Sequence, residues 1–240
     1  LFLLSVVEGL EKQNEKKKIY LLMQKAFLFD LDGTLIDTMH WHLITWQVVV
    51  EELGSPLRGD ELMKELYGNG AELMQRLVPH RTFTEEEARA IVDDKEARYR
   101  NLYGQNITVL EGAREFLEEA QHHKIPMGIG TASNQANIDF ALDFLDLRKY
   151  LNAIVGADDV EFSKPHPETW LKLAAALSTA PADCIVFEDA PKGVEAAQKA
   201  GMQAVAITGH YSANDFKGYE NILQIVPSLS ALKMSELLYL

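Results

Sequence analysis

From residue 26 onward, short apolar runs bounded by turn residues punctuate the chain: AFLFD (26–30), MGIGT (127–131), AIVGA (153–157), CIVFE (184–188) and QAVAIT (203–208). Each run is apolar on both faces, the pattern of a strand in a parallel sheet covered by helices on both sides. Between the runs the period changes. Ala113, Phe116, Leu117 and Ala120 fall at i, i+3, i+4 and i+7, one buried helical stripe, and Pro167 opens a further helix that ends in LKLAAAL. This alternation predicts an α/β fold with a doubly wound, Rossmann-like parallel sheet.

One interval departs from the alternation. From about residue 38 to 103 the pattern is helical throughout. Leu43, Trp46, Val50 and Leu53 form one stripe, and TEEE from Thr84 to Glu87 is a capping box that starts another helix. The expected organisation is therefore an α/β core over 24–37 and 105–240, with a helical cap domain inserted at 38–104. Residues 1–23 begin apolar and continue into a Lys cluster, the reverse of a signal peptide and too short to span a bilayer. They are expected to be an upstream extension outside the fold, with Met23 a candidate natural start.

Charge narrows the choice of partner. Lys plus Arg number 23 against 36 Asp plus Glu, a formal charge of -13, which argues against an extended nucleic-acid or anionic-membrane surface. The single cysteine, Cys184, lies in an apolar run and reads as a buried, inert thiol, in keeping with a reducing cytoplasm. A monomer acting on a small phosphorylated metabolite is the expectation that the following residues support.

Open parallel sheets bind ligands at the carboxyl ends of their strands. The first strand delivers Asp30, Asp32, Gly33 and Thr34 there, and the second delivers Thr131, Ala132, Ser133 and Asn134. Lys164 follows the third in SKPHPE, and Glu188 and Asp189 end the fourth. Several carboxylates together are tolerated around a hard cation, and Mg²⁺ takes oxygen ligands. With Mg²⁺ and Lys164 offsetting the charge, a phosphate could sit on the Thr131 hydroxyl, the backbone N–H groups after it and the ammonium. Asp30 is then placed as nucleophile and Asp32 as acid and base, with Leu31 between them facing the core and Gly33 permitting the turn.

DLDGT, GTAS, SKPHP and ED, in that order, resemble the haloacid dehalogenase superfamily of phosphatases and phosphomutases. The resemblance runs from about residue 24 to the end, with the helical insert matching the family's small cap. It implies that Asp30 is nucleophile and metal ligand, that Asp32 is acid/base and gives the metal its backbone carbonyl, and that Asp189 completes the site with Glu188 nearby.

Within the superfamily the chain most resembles β-phosphoglucomutase and the sugar-phosphate phosphatases that share its cap. DTMHWHLITW carries Thr38 and His42, matching a pair that restrains the acid/base aspartate, and Lys95 matches a cap lysine that contacts the distal end of the sugar phosphate. Gly68 and Asn69 sit in a cap loop expected to face substrate. One departure separates the readings. Where the mutase has an arginine for the second phosphate, this chain has Ala71, with Arg76 the nearest substitute. A mutase must hold a bisphosphorylated intermediate and exclude water, whereas a phosphatase must admit water, so the loss of an anchor favours the phosphatase. The mutase remains the alternative.

Plainer readings apply to other residues. His122 and His123 near a helix end read as solvated, and His166 between two prolines as loop structure. A signalling receiver domain shares an acceptor aspartate, acidic metal ligands, a hydroxyl and a lysine, but the motif order and the helical insert oppose it.

Overall fold

A computed structural model of the chain describes residues 25–68 and 70–238. The 1–23 extension and Asn69 lie outside the described residues. Six parallel strands form the main sheet in the order β5-β4-β1-β6-β7-β8. They are β1 (Ala26–Phe29), β4 (Met127–Gly130), β5 (Ala153–Val155), β6 (Cys184–Glu188), β7 (Gln203–Ile207) and β8 (Ile222–Val226). β1 lies between β4 and β6, and all four of its residues are fully buried, as a run apolar on both faces requires.

Alternation along β1 divides the core in two. Phe27 and Phe29 point to one face, where Phe29 stacks on Phe187 at 4.6 Å between ring centroids and Phe27 on Phe116 at 5.8 Å. Ala26 and Leu28 point to the other, among Trp170, Leu173, Val186 and Ala197. Helices cover both faces: α5 (Ala113–His122) and α6 (Gln135–Phe144) with α9 (Met234–Leu238), and α7 (Glu168–Ala176) and α8 (Pro191–Lys199). The predicted stripe of α5 is buried along its whole length, and Pro167 caps the start of α7. Cys184 is buried with its thiol against the Ala180 carbonyl, and burial pushes its pKa up to about 12.

β8 was not anticipated. Its sequence, ILQIV, lies on a sheet edge with Ile225 40% exposed, so it lacks the two-faced apolar signature of the inner strands.

The interval expected to be helical forms α1 (Met39–Glu52), α2 (Gly59–Glu65), α3 (Gly70–Leu77) and α4 (Glu85–Tyr103). These pack around their own cluster of Trp46, Val50, Leu62, Met74, Leu77 and Phe83. The capping box at α4 is present: Thr84 Oγ1 accepts from Glu87 N at 3.2 Å, and Glu87 Oε2 accepts from Thr84 N at 3.0 Å. Two-residue strands β2 (Ile36–Asp37) and β3 (Thr108–Val109) pair antiparallel, so the chain enters and leaves the helical layer side by side. Among the described residues no helix is long and apolar enough to cross a membrane.

Candidate active site

β1 and β6 end side by side and deliver their acids to one buried point. Asp30 N donates to the Phe187 carbonyl at 2.9 Å, which pins the end of β1 to β6. Lys164 Nζ donates to Asp30 Oδ1 at 2.6 Å and to Glu188 Oε1 at 2.7 Å, over the face of Trp170 at 4.4 Å. Glu188 Oε2 accepts from Ala190 N at 2.8 Å, and Asp189 Oδ1 from Thr34 Oγ1 at 3.4 Å. All four charged side chains are buried.

One ammonium serves three carboxylates here, and the protonation equilibria register the deficit. Burial pushes Asp30 up to about 8, with Glu188 and Asp32 adding to the rise and Lys164 opposing it. Burial, then Glu188 and Asp30, push Asp189 well above the ordinary carboxylate range. Burial works against the charge on Lys164, but Asp30 and Glu188 outweigh it and hold the ammonium well above its usual pKa. The site is short of positive charge.

Two glycines permit this density. Gly33 has φ +87°, and a Cβ there would lie 2.3 Å from Asp189 Oδ2. A Cβ on Gly193, in α8, would lie 1.7 Å from Glu188 Oε1. Sequence reasoning passed over Gly193, because a glycine inside a helix marks a close approach only once the neighbouring element is known.

Asp32 lies past the turn in different surroundings. Thr38 Oγ1 donates to its Oδ1 at 2.6 Å, Ser133 Oγ to its Oδ2 at 2.6 Å, and His42 Nε2 stands 3.5 Å from Oδ1. Burial opposes its charge, but His42, Ser133 and Thr38 prevail and hold it well below the ordinary range. Leu31 between the two aspartates is buried in the core. The two carboxylates thus differ in character: Asp30 is crowded among anions, and Asp32 is surrounded by donors.

The remaining anticipated residues fall on both sides of the crevice. Thr131, Ala132, Lys164 and Gly68 line one cavity with Ala157, Val160, Ser163 and Thr169, so the helical layer and the sheet edge share it. Thr131 Oγ1 accepts from Ser133 N at 3.1 Å. Asn134 caps α6, its side chain accepting from Asn137 N at 3.0 Å. Lys95, expected to contact the distal end of a substrate, lies beside His42. It is 1% exposed, with Nζ 2.6 Å from His42 Nδ1 and 2.8 Å from Glu96 Oε1, because a buried ammonium settles beside a carboxylate. Arg76 is also engaged: it bonds the Tyr67 carbonyl, stacks on the Tyr67 ring and stands 3.6 Å from Glu65. Ala71 N donates to Glu85 at 3.3 Å. His122 and His123 are exposed, and His166 Nδ1 accepts from Glu168 N at 3.3 Å.

Among the described residues no group of three or more His, Cys, Asp or Glu is arranged to hold a metal ion by itself. The oxygen donors nevertheless suit a hard divalent cation, since buried Asp30, Glu188 and Asp189 crowd together beside the single ammonium of Lys164. Glu188 Oε1 accepts from Lys164 and Oε2 from Ala190 N, so both of its oxygens already have a protein partner.

The chain matches the family model for haloacid dehalogenase-like hydrolase over residues 27–207. It is 32% identical over 183 residues to fructose-1-phosphate phosphatase YqaB from Escherichia coli, covering 76% of this chain and 95% of that protein. It is 30% identical over 197 residues to β-phosphoglucomutase from Bacillus subtilis, covering 76% and 83%. The crystal structure of β-phosphoglucomutase from Clostridium difficile superposes with a TM-score of 0.77 at 27% identity, covering 90% of this chain and 98% of that one. The chain belongs to the haloacid dehalogenase-like hydrolases and is an enzyme of phosphoryl transfer, of the phosphatase and phosphomutase kind. Members of this superfamily generally use a divalent metal.

Proposed function

We propose that this haloacid dehalogenase-like enzyme is a Mg²⁺-dependent phosphatase of small sugar or polyol phosphates that works through an aspartyl phosphate on Asp30. The observation that carries the reading is the contrast between the two aspartates: a crowded one beside Lys164, and a donor-bound one two residues on.

Asp30, Asp189 and the backbone carbonyl of Asp32 would hold the cation, which supplies positive charge against the incoming phosphate and keeps Asp30 ionised. Lys164 and the Thr131 hydroxyl hold phosphate oxygens in the cavity they line. An Asp30 oxygen bonds to phosphorus as the bond from phosphorus to the sugar oxygen breaks, and protonated Asp32 gives that oxygen its proton. Water then attacks the phosphoryl group, Asp32 takes a proton from it, and phosphate leaves with Asp30 regenerated. Asp32 must first leave Thr38, Ser133 and His42, which hold it ionised. The helical layer acts as the cap, pivoting where β2 and β3 pair, and its movement accompanies that release.

Hydrolysis is favoured over isomerisation by the missing anchor. Ala71 cannot bind a second phosphate, and Arg76 is committed to Tyr67 and Glu65. YqaB, by its name a fructose-1-phosphate phosphatase, fits the same reading, while likeness to the Bacillus subtilis enzyme keeps the β-phosphoglucomutase reaction as the second candidate. Phosphate release with Mg²⁺ over hexose, pentose and polyol monophosphates, beside a coupled assay for β-glucose 1-phosphate isomerisation, decides between them. The expected result is phosphate from one or more sugar phosphates without isomerisation; fast isomerisation with little release would establish the mutase.

A further inference from the structure

Behind His42 runs a series of part-buried hydrogen bonds whose roles follow once Lys95 is an ammonium, the form that Glu96 favours against the pull of burial. Lys95 Nζ lies 2.6 Å from His42 Nδ1, and an ammonium only donates. Nδ1 therefore accepts, and the ring proton sits on Nε2, which faces Asp32 Oδ1. Lys95 also donates to Glu96 Oε1 at 2.8 Å, and Glu96 Oε2 accepts from Asn137 Nδ2 at 2.6 Å. Asn137 Oδ1 accepts from Arg100 Nη1 at 2.6 Å. Since a guanidinium only donates and a carboxylate only accepts, the Asn137 amide has one permitted orientation.

The series crosses between layers. Lys95, Glu96 and Arg100 stand on α4, Asn137 on α6 of the α/β layer, and Asn137 is 4% exposed. Tyr99 stacks on the His42 ring at 4.0 Å, and Lys95 stands over the rings of Trp46 and Tyr99 at 5.2 and 5.6 Å. Aromatic faces favour a cation, but Glu96 is the carboxylate that pairs with this one. Position 96 needs two acceptor oxygens, one for Lys95 and one for Asn137. A glutamine has one and would set its amide nitrogen against a donor.

We propose that Glu96 and Asn137 are positioning residues for Asp32: acting through Lys95, they fix His42 as the Nε2–H tautomer and so hold the Asp32 side chain in place before substrate arrives. The proposal deepens the reading of Asp32 as acid and base and rests on it. Docking α4 on α6 therefore sets the hydrogen bonds of a residue on the β1 loop.

The test is ring-nitrogen NMR of the full chain labelled at its seven histidines, with His42 assigned by substitution, beside steady-state kinetics on the preferred sugar phosphate. Wild type should show His42 protonated at Nε2 alone. In Glu96→Gln that signature should give way to mixed or Nδ1 protonation, with kcat lowered about tenfold or more, as for partners that orient ligand histidines, and KM little changed. Asn137→Ala, which keeps the Glu96 charge, should show a smaller change of the same kind and covers the case in which Glu96→Gln does not fold. An unaltered His42 signature in a folded variant overturns the proposal, as does an altered signature with wild-type kcat. A wild type inactive on every sugar phosphate would instead refute the functional reading, while the ring signature still tests what Glu96 and Asn137 fix.

Discussion

Gly193→Ala sets helix propensity and site geometry against each other. Gly193 lies inside α8, where alanine is intrinsically better by about 1 kcal/mol, so local propensity alone predicts a more stable protein. The structure predicts the reverse. The new Cβ would stand 1.7 Å from Glu188 Oε1, and Glu188 is fixed by Lys164 at 2.7 Å and Ala190 N at 2.8 Å. Hydrogen bonds to charged groups contribute about 1.5–3 kcal/mol each, so displacing Glu188 from both outweighs the helix gain by about 2 kcal/mol or more. For a chain of this size that lowers Tm by at least about 4 °C. Because Lys164 also holds Asp30, the variant should lose most of its phosphate release. Shortening the displaced side chain with Glu188→Asp in the same background should recover part of the Tm. Scanning calorimetry and a phosphate assay read both effects, and a Gly193→Ala protein at or above wild-type Tm with full activity would refute the reasoning.

Two further predictions concern the aspartates. In chelator-treated protein Asp30 holds its proton to about pH 8 against about 4 when unfolded. Its contribution to stability is therefore fully present below about pH 4 and lost as pH rises through about 8. Tm of the metal-free protein should fall across that window, and Mg²⁺ should raise it most at the alkaline end; a metal-independent, flat profile would contradict the placement of Asp30. Asp32→Asn should slow sugar-phosphate hydrolysis by about 10²–10⁴-fold but affect p-nitrophenyl phosphate much less, since that leaving group needs no proton. Equal losses on both substrates would remove the acid role.

Much of this was legible in the chain because inner parallel strands and phosphoryl-transfer motifs are local signals. AFLFD, MGIGT, CIVFE and QAVAIT mark inner strands because burial on both faces keeps their middles apolar, and AIVGA marks the edge strand β5 by its short apolar run. β8 escaped because Gln224 interrupts its apolar run and Ile225 is exposed, and β2 and β3 because two residues carry no period. Asp30, Asp32, Lys164 and Asp189 could be nominated from their places at strand ends. Glu96 and Asn137 could not. Glu96 is one charge among several in DKEAR, and what gives it meaning is a contact to a residue 41 positions away. The same holds for Lys95, whose motif match suggested a substrate contact and whose burial beside His42 was decided by packing of α1 against α4.

The central claim, a phosphatase that passes its phosphoryl group through Asp30, is tested most directly by rapid acid quench during turnover of the best sugar phosphate with Mg²⁺, followed by mass spectrometry of the peptides. The account predicts a phosphoryl group on the peptide carrying Asp30 in wild type, its absence in Asp30→Asn, and loss of phosphate release in that variant. Full activity in Asp30→Asn, or a phosphoryl group on another residue, would contradict it.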